Sequence, residues 1–104
     1  MKNAEAILSV KFNSMLSADE LMNAYQEDLE TFKNLPGLLQ KYYMTEECTG
    51  AILGIYIFET KPDREAFRAS ELAKKIPLRY GMIPGTLRIE LYDMASVLND
   101  VLLA

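Results

Sequence analysis

The sequence predicts an α+β protein of the ferredoxin-like type, with the element order βαββαβ. Four segments have the apolar pattern of β-strands, two have the periodicity of amphipathic helices, and turns containing Gly or Pro separate them. In this order both helices pack on one face of an antiparallel four-stranded sheet. With 104 residues, 50% of them apolar, the chain can bury one core, so we expect one domain over residues 1–104.

The first strand and the first helix have the clearest patterns. Residues 6–13, AILSVKFN, alternate apolar and polar side chains with the period of two that is typical of a half-buried strand. In residues 17–34, apolar side chains recur at helical intervals, and Ser17 and Glu20 have the spacing of a capping box. We expect this helix to end at the Pro-Gly pair that follows it.

A β-hairpin is predicted for the middle of the chain. Its strands are residues 38–46 and 51–60, and the connection between them, ECTG, is short and polar and contains Gly50. Both strands have apolar or aromatic residues on both faces, which indicates a sheet that is covered on two sides.

The last third of the chain supplies one helix and one strand. Residues 62–76, PDREAFRASELAKKI, form the predicted helix, because Pro62 suits a first turn and Pro77 is expected to end or kink it. Residues 86–94, TLRIELYDM, alternate as a fourth strand. Residues 95–104 are expected to add a short helix or an arm.

The predicted sheet has a face that the two helices do not cover. Its strands offer too few charged residues for a face that meets water. Packing two such sheets face to face would bury these surfaces, so we predict a homodimer whose sheets form a shared barrel.

Composition excludes several classes of function. Eleven basic residues against fifteen acidic ones give a net charge of −4, which argues against nucleic-acid binding. The longest apolar run, residues 51–58, is too short to cross a membrane. Cys48 is the single cysteine and no signal peptide is evident, so we expect a cytoplasmic protein.

The chain has neither histidine nor tryptophan. The commonest catalytic base and the commonest nitrogen ligand for metals are therefore missing. Chemistry would have to depend on carboxylates, lysines, tyrosines, the thiol or the substrate itself, and we expect neither a metal nor a bound cofactor.

Lys41 and Tyr43 lie on one face of the second predicted strand. In a pocket wall, the ammonium would stabilise a phenolate or enolate of an aromatic substrate, and the phenol would donate a hydrogen bond to its oxygen. The alternative is structural: Lys41 pairs with a neighbouring carboxylate, and Tyr43 packs at the dimer interface.

Further candidates lie on the first and third strands. Tyr56 and Phe58 share a face with Gly54, whose missing side chain suits the close approach of a ligand, although core packing explains it equally well. Asn13 could orient a substrate carbonyl, or it could cap the loop toward Ser14.

Three stretches resemble the YdhR-like family of proposed mono-oxygenases, within the dimeric α+β barrel superfamily. They are PGLLQKYYMTEE, GIYIFET and, on the following helix, ASEL, and the likeness covers the chain from about Leu8 to Asp93. It implies a ferredoxin-like protomer, a dimer, and oxidation of a small aromatic or quinol-like compound by dioxygen without a cofactor. Haem-degrading relatives use an Asn, Trp and His set, and this chain lacks Trp and His.

For such an enzyme, Lys41 would be the electrostatic stabiliser and Tyr43 its catalytic phenol. The residues that would bind the substrate are Phe12, Asn13, Tyr56, Phe58 and Tyr92. The alternative function is a non-catalytic dimer that binds a small apolar or aromatic molecule, and a third is a structural dimer whose pocket is only packing.

Overall fold

The computed structural model describes residues 4–98 and confirms the ferredoxin-like α+β fold. The elements are β1 Ala6–Phe12, α1 Ala18–Lys33, β2 Leu38–Thr45, β3 Ile52–Phe58, α2 Lys61–Arg68, α3 Glu71–Arg79 and β4 Arg88–Asp93. The strands form one antiparallel sheet in the order β2-β3-β1-β4. The predicted β4 therefore pairs with β1, at the edge opposite β2.

All three helices contribute to a core on one face of the sheet. Leu8 and Phe12 of β1 and Tyr56 of β3 belong to the same buried cluster as Phe32 of α1 and Phe67 of α2. The predicted capping box starts α1, since Ser17 accepts from the Glu20 amide and the Glu20 carboxylate accepts from the Ser17 amide. Alternation in β1 thus delivers apolar side chains to a helix-covered face.

The single helix predicted for residues 62–76 is wrong, because the structure has two helices there. Ala69 ends α2, and the Ser70 hydroxyl starts α3 by accepting a hydrogen bond from the Ala73 amide. Pro77 does not end the helix, which continues to Arg79.

A β-bulge sets the face on which β2 presents its side chains. Leu38 lies opposite Phe58, but Gln40 lies opposite Ile57, so β2 uses one more residue than β3 over this step. Beyond the bulge, Lys41 lies opposite Tyr56. Lys41 therefore points to the helix-covered face, like Leu38 before the bulge.

Arg64 joins α2 to the sheet. Its side chain is only 6% exposed. Nη1 donates to the carbonyl oxygens of Ile7 and Tyr92 at 3.4 and 3.1 Å, and Nε donates to the Glu65 carboxylate at 2.8 Å. This cation holds α2 against the ends of β1 and β4.

The opposite face of the sheet carries apolar residues that no helix of residues 4–98 covers. Ile7 lies beside Ile57 and Tyr92 in one row across three strands. No helix in this part of the chain is long and apolar enough to cross a membrane. Residues 95–98 form no helix, and the rest of the predicted carboxy-terminal helix or arm lies outside the described residues.

Candidate functional site

Lys41 extends from β2 into a cage of aromatic rings beneath the helices. Its Nζ lies 3.5 Å from the ring centre of Phe32, 4.3 Å from that of Tyr43, 4.5 Å from that of Tyr56 and 5.8 Å from that of Tyr80. Ring faces attract an ammonium through their quadrupoles. Within residues 4–98, no carboxylate lies at ion-pair distance from Nζ and no hydrogen bond satisfies it.

The surroundings of Lys41 disfavour its charged form. Burial lowers the pKa of the Lys41 amine to about 7, and the charge of Asp28 opposes this only in part. The ring faces also favour the ammonium, so they hold it in place while it is protonated. Near neutral pH the amine exists in both forms, and it can therefore either take up or donate a proton.

Tyr43 brings a phenol without a partner to the same place. Its ring packs at a tilt of 33° against Tyr25, with centroids 4.2 Å apart, and its Oη is buried without a hydrogen-bond partner in the described part of the chain. Burial raises the pKa of the Tyr43 phenol to about 12, so it stays protonated and can donate. A buried hydroxyl without a partner is uncommon and often marks a site of function.

Asp28 organises the side of the cage that faces α1 and α3. Its Oδ2 accepts from the Tyr80 phenol at 2.6 Å and from Arg79 Nε at 2.7 Å. Burial acts to raise the pKa of the Asp28 carboxyl, but the hydrogen bonds from Arg79 and Tyr80 outweigh it and the pKa is lowered. Asp28 is therefore ionised at neutral pH, and its negative charge acts on Lys41.

A small cavity lies next to this cage, and we call it the Lys41 cavity. It measures about 20 Å³, and its walls include Phe12, Lys41, Tyr43, Tyr56 and Tyr80. That volume has room for about one water molecule. An aromatic ring does not fit in it, so a substrate can place only a single polar group there.

Three larger grooves share lining residues with the Lys41 cavity, and one of them, about 360 Å³, shares Tyr25 and Tyr43 with it. The α1–β2 groove, about 250 Å³, shares Lys41 and Tyr43 with the cavity and is also lined by Leu29, Phe32, Lys33, Leu38, Leu39 and Gln40. The α3–β4 groove, about 270 Å³, shares Val10 and Ile76 with it and is also lined by Leu8, Phe67, Arg68, Ala73, Lys74, Pro77, Leu87 and Ile89. Among these grooves of the described residues, the α1–β2 groove is the one lined by both Lys41 and Tyr43.

The structure brings four of the seven predicted site residues together at this cavity. They are Phe12, Lys41, Tyr43 and Tyr56. Phe58 is fully buried and stacks on Tyr56, so it supports the cage from behind.

Asn13 and Tyr92 do not reach the cavity. Asn13 is exposed beyond the end of β1, where its backbone N–H donates to the Thr86 hydroxyl and its backbone carbonyl oxygen accepts from the Ile83 N–H. Tyr92 pairs with Ile7 and lies on the opposite face of the sheet, 47% exposed. Neither residue could contact a ligand held by Lys41 in this protomer.

Sequence reasoning missed Asp28 and Tyr80. Asp28 lies three residues after Tyr25 and four before Phe32, so the helical period itself places a carboxylate on the buried stripe of α1. That signal was present in the sequence. Tyr80 follows the end of α3, and no sequence pattern indicated that its ring turns inward.

The described residues contain no group of three side chains of the His, Cys, Asp or Glu type that could hold a metal ion. The polar side-chain groups that line the Lys41 cavity are tyrosine hydroxyls and the Lys41 amine.

Solved structures with the same architecture include oxygenases. SnoaB, a cofactor-independent oxygenase from Streptomyces nogalater, superimposes with a TM-score of 0.70 at 15% identity over 92% of this chain and 98% of its own. The chain has the fold of that oxygenase. The ActVA-Orf6 monooxygenase of Streptomyces coelicolor, solved with nanaomycin D, gives 0.68 at 11% identity over 94% of each chain.

A third neighbour is a protein from Caulobacter crescentus described as a proposed antibiotic biosynthesis monooxygenase, with a TM-score of 0.68 at 14% identity over 91% of this chain and 92% of that one. No protein-family model and no curated protein matches the sequence. At these identities the likeness concerns the fold, and the resemblance to the YdhR-like family stays a prediction.

Proposed function

We propose that this protein is a cofactor-independent mono-oxygenase of a small aromatic or quinol-like compound. The observation that carries the proposal is the Lys41 amine, held among four aromatic rings without a carboxylate partner in the described residues. The shared fold with a cofactor-independent oxygenase supports it.

The reaction begins with loss of a proton from the substrate. The neutral Lys41 amine takes the proton from a phenol or from an activated methylene group, and the resulting ammonium stabilises the anion. The electron-rich anion then reacts directly with dioxygen. In the overall change, a substrate methylene becomes a carbonyl, and the second oxygen atom leaves as water.

The α1–β2 groove is the place for the substrate ring. Its volume of about 250 Å³ and its apolar side chains, among them Leu29 and Phe32, suit a small aromatic body. The oxygen of the substrate would enter the Lys41 cavity and displace the water for which the cavity has room. Tyr43 would donate a hydrogen bond to it.

We also propose that two copies pair through the uncovered face of the sheet. The row formed by Ile7, Ile57 and Tyr92 lies on that face. A dimer would bury it and would give Tyr92 a role at the interface instead of the pocket. Light scattering on the purified chain should give twice the protomer mass, and Tyr92→Asp, at a position that is 47% exposed in the protomer, should reduce it to the protomer mass.

A second candidate function is non-catalytic binding of a small apolar molecule. The α3–β4 groove favours it, because this groove has about the same volume as the α1–β2 groove but lies apart from Lys41 and Tyr43. Its walls are mostly apolar, with Arg68 and Lys74 as the charged exceptions.

Oxygen uptake tests the catalytic proposal. The protein is incubated with a panel of quinols and anthrone-like aromatics, and wild type is compared with Lys41→Met and with Lys74→Met, which changes the other groove. We expect Lys41→Met to lose at least 100-fold in rate and Lys74→Met to stay within about twofold, by the size of general-base effects. Equal rates in wild type and Lys41→Met would remove Lys41 from the mechanism. Binding without oxygen uptake would support the second function.

A further inference from the structure

We propose that Lys41 condenses with small aldehydes or ketones to form an imine, with the Tyr43 phenol donating to the carbonyl oxygen. This activity needs neither dioxygen nor an oxidisable ring, so it goes beyond the proposed oxygenation. It assigns the site a carbonyl compound with a small apolar body as its ligand.

The amine is available for bond formation. A surface lysine usually engages carboxylates or water, whereas the Lys41 Nζ contacts ring faces, the nearest with its centre at 3.5 Å. No described residue competes for its lone pair by a hydrogen bond. An apolar enclosure favours the neutral amine over the ammonium. Imine-forming lysines need the neutral amine, because only that form attacks a carbonyl carbon.

The acid for the reaction is present as well. Attack on a carbonyl carbon places negative charge on its oxygen, which must receive a hydrogen bond and then a proton. Tyr43 Oη is buried and has no partner among residues 4–98, and its side chain lines the same cavity as Lys41. A carbonyl oxygen in this cavity would give that hydroxyl the acceptor it lacks.

The space matches the two parts of such a ligand. The Lys41 cavity, about 20 Å³, has room for a carbonyl group, and the adjoining α1–β2 groove of about 250 Å³ has room for the attached apolar chain or ring. Both spaces share Lys41 and Tyr43, so the bond would form at their junction.

The step balances without an external oxidant. The Nζ lone pair forms the C–N bond while the carbonyl oxygen gains a proton through Tyr43, which is reprotonated by the ammonium. The remaining N–H proton then passes through Tyr43 to the hydroxyl, the C–O bond breaks, water leaves, and nitrogen and carbon share a double bond. Nothing is oxidised or reduced. The pKa of Lys41, lowered by burial to about 7, keeps a large share of the amine neutral at physiological pH.

Reductive trapping tests the proposal. The whole protein is incubated with butanal and sodium cyanoborohydride at pH 7 under nitrogen, and each lysine is quantified by peptide mapping. We expect Lys41 to be alkylated at least about tenfold faster than Lys33 and Lys61, which are exposed and lie at ion-pair distance from Glu30 and Asp93. Alkylation of Lys41 at or below the rate of these two lysines would overturn the proposal.

Two phenol variants test the role of Tyr43 separately. Tyr43→Phe keeps the ring in the cage but removes the hydroxyl, and it should slow trapping at Lys41 about tenfold. Tyr92→Phe removes a phenol on the opposite face of the sheet, away from the Lys41 cavity, and should leave the rate within about twofold. An unchanged rate in Tyr43→Phe would exclude the phenol as the donor. Because the assay excludes oxygen, failure of the oxygenation proposal would not affect its outcome.

Discussion

Two cations lie beneath the helices of this protein, and their surroundings differ sharply. Arg64 is satisfied by two carbonyl oxygens and by the carboxylate of Glu65, all within 3.4 Å. Lys41 has four ring faces and no carboxylate or hydrogen-bond acceptor from the described residues. A charge moved out of water costs free energy; hydrogen bonds and a carboxylate offset that cost for Arg64, whereas only ring faces offset part of it for Lys41.

The difference indicates what each cation is for. Arg64 binds the carbonyl oxygens of two strands and fixes α2 on the sheet, which is a structural role. Lys41 fixes nothing by hydrogen bonds, and the fold would be at least as stable with an apolar side chain of the same length. A residue that costs stability at a cavity is a candidate for function, as trade-offs between stability and activity lead one to expect.

The largest expected effect is the difference in unfolding free energy between two variants in which one cation is replaced by methionine. Arg64→Met should lower the free energy of unfolding by about 3 kcal/mol, since it leaves the Ile7 and Tyr92 carbonyl oxygens without this donor. Lys41→Met should leave it within about 1 kcal/mol of wild type or raise it. Urea unfolding followed by far-ultraviolet circular dichroism measures both.

Arg68→Met is the matched control for the arginine, because Arg68 also pairs with Glu65 but its side chain is 39% exposed. Its loss should be under about 1 kcal/mol. A loss in Lys41→Met as large as in Arg64→Met would show that both cations are structural.

The next effect is a pH dependence that only Lys41 should cause. The folded-state pKa of Lys41 is about 7 and the unfolded one is near 10.5, so the unfolded chain binds more protons between these values. Stability of wild type must therefore rise with pH in that interval. Relative to Lys41→Met, we expect wild type to gain about 2 kcal/mol between pH 7 and 9.

The comparison should stop at pH 9. The pKa of Tyr43 is raised to about 12, and a tyrosine with a raised pKa makes stability fall once the unfolded tyrosines ionise near pH 10. Parallel stability curves for wild type and Lys41→Met from pH 7 to 9 would mean that the amine titrates as it does in water.

The smallest effect concerns the space beside Lys41. In Gly54→Ala, the new methyl group would lie 3.2 Å from Tyr56 Cε1 and 3.7 Å from Lys41 Cε, so it would occupy part of the Lys41 cavity. Stability should change by less than about 1 kcal/mol, because the contacts are close but not severe. Trapping at Lys41 should slow several-fold with butanal and less with formaldehyde. Equal slowing with both probes would argue against a steric cause.

Much of this arrangement follows from the sequence. The alternation in residues 6–13 and the capping box at Ser17 and Glu20 correctly placed β1 and α1, and Lys41 and Tyr43 do share a face. The break between α2 and α3 was not predicted, because Ser70 caps α3 without the Glu three residues later that completes a capping box.

The surroundings of Lys41 could not be predicted from local pattern. They depend on Phe32, Tyr56 and Tyr80, which come from α1, from β3 and from the residue after α3. Tyr92 was predicted to bind the substrate in the pocket, but period-two alternation puts it on the face of Ile7. The sequence pattern therefore predicts where most strands and helices lie, but the composition of the site depends on contacts between them.

The bulge near the start of β2 makes this chemistry depend on strand register. Leu38 pairs with Phe58, and Leu39 is the extra residue before Gln40 pairs with Ile57. If β2 paired without a bulge from Leu38 onward, Lys41 would lie opposite Ile55 instead of Tyr56, on the side of the sheet that the helices leave open. Loss of the bulge with Leu39 still present would thus turn a reactive amine into an ordinary surface lysine, whereas deletion of Leu39 would remove the bulge and keep Lys41 opposite Tyr56. An irregularity in one strand, and not only the identity of its residues, decides whether the amine is enclosed.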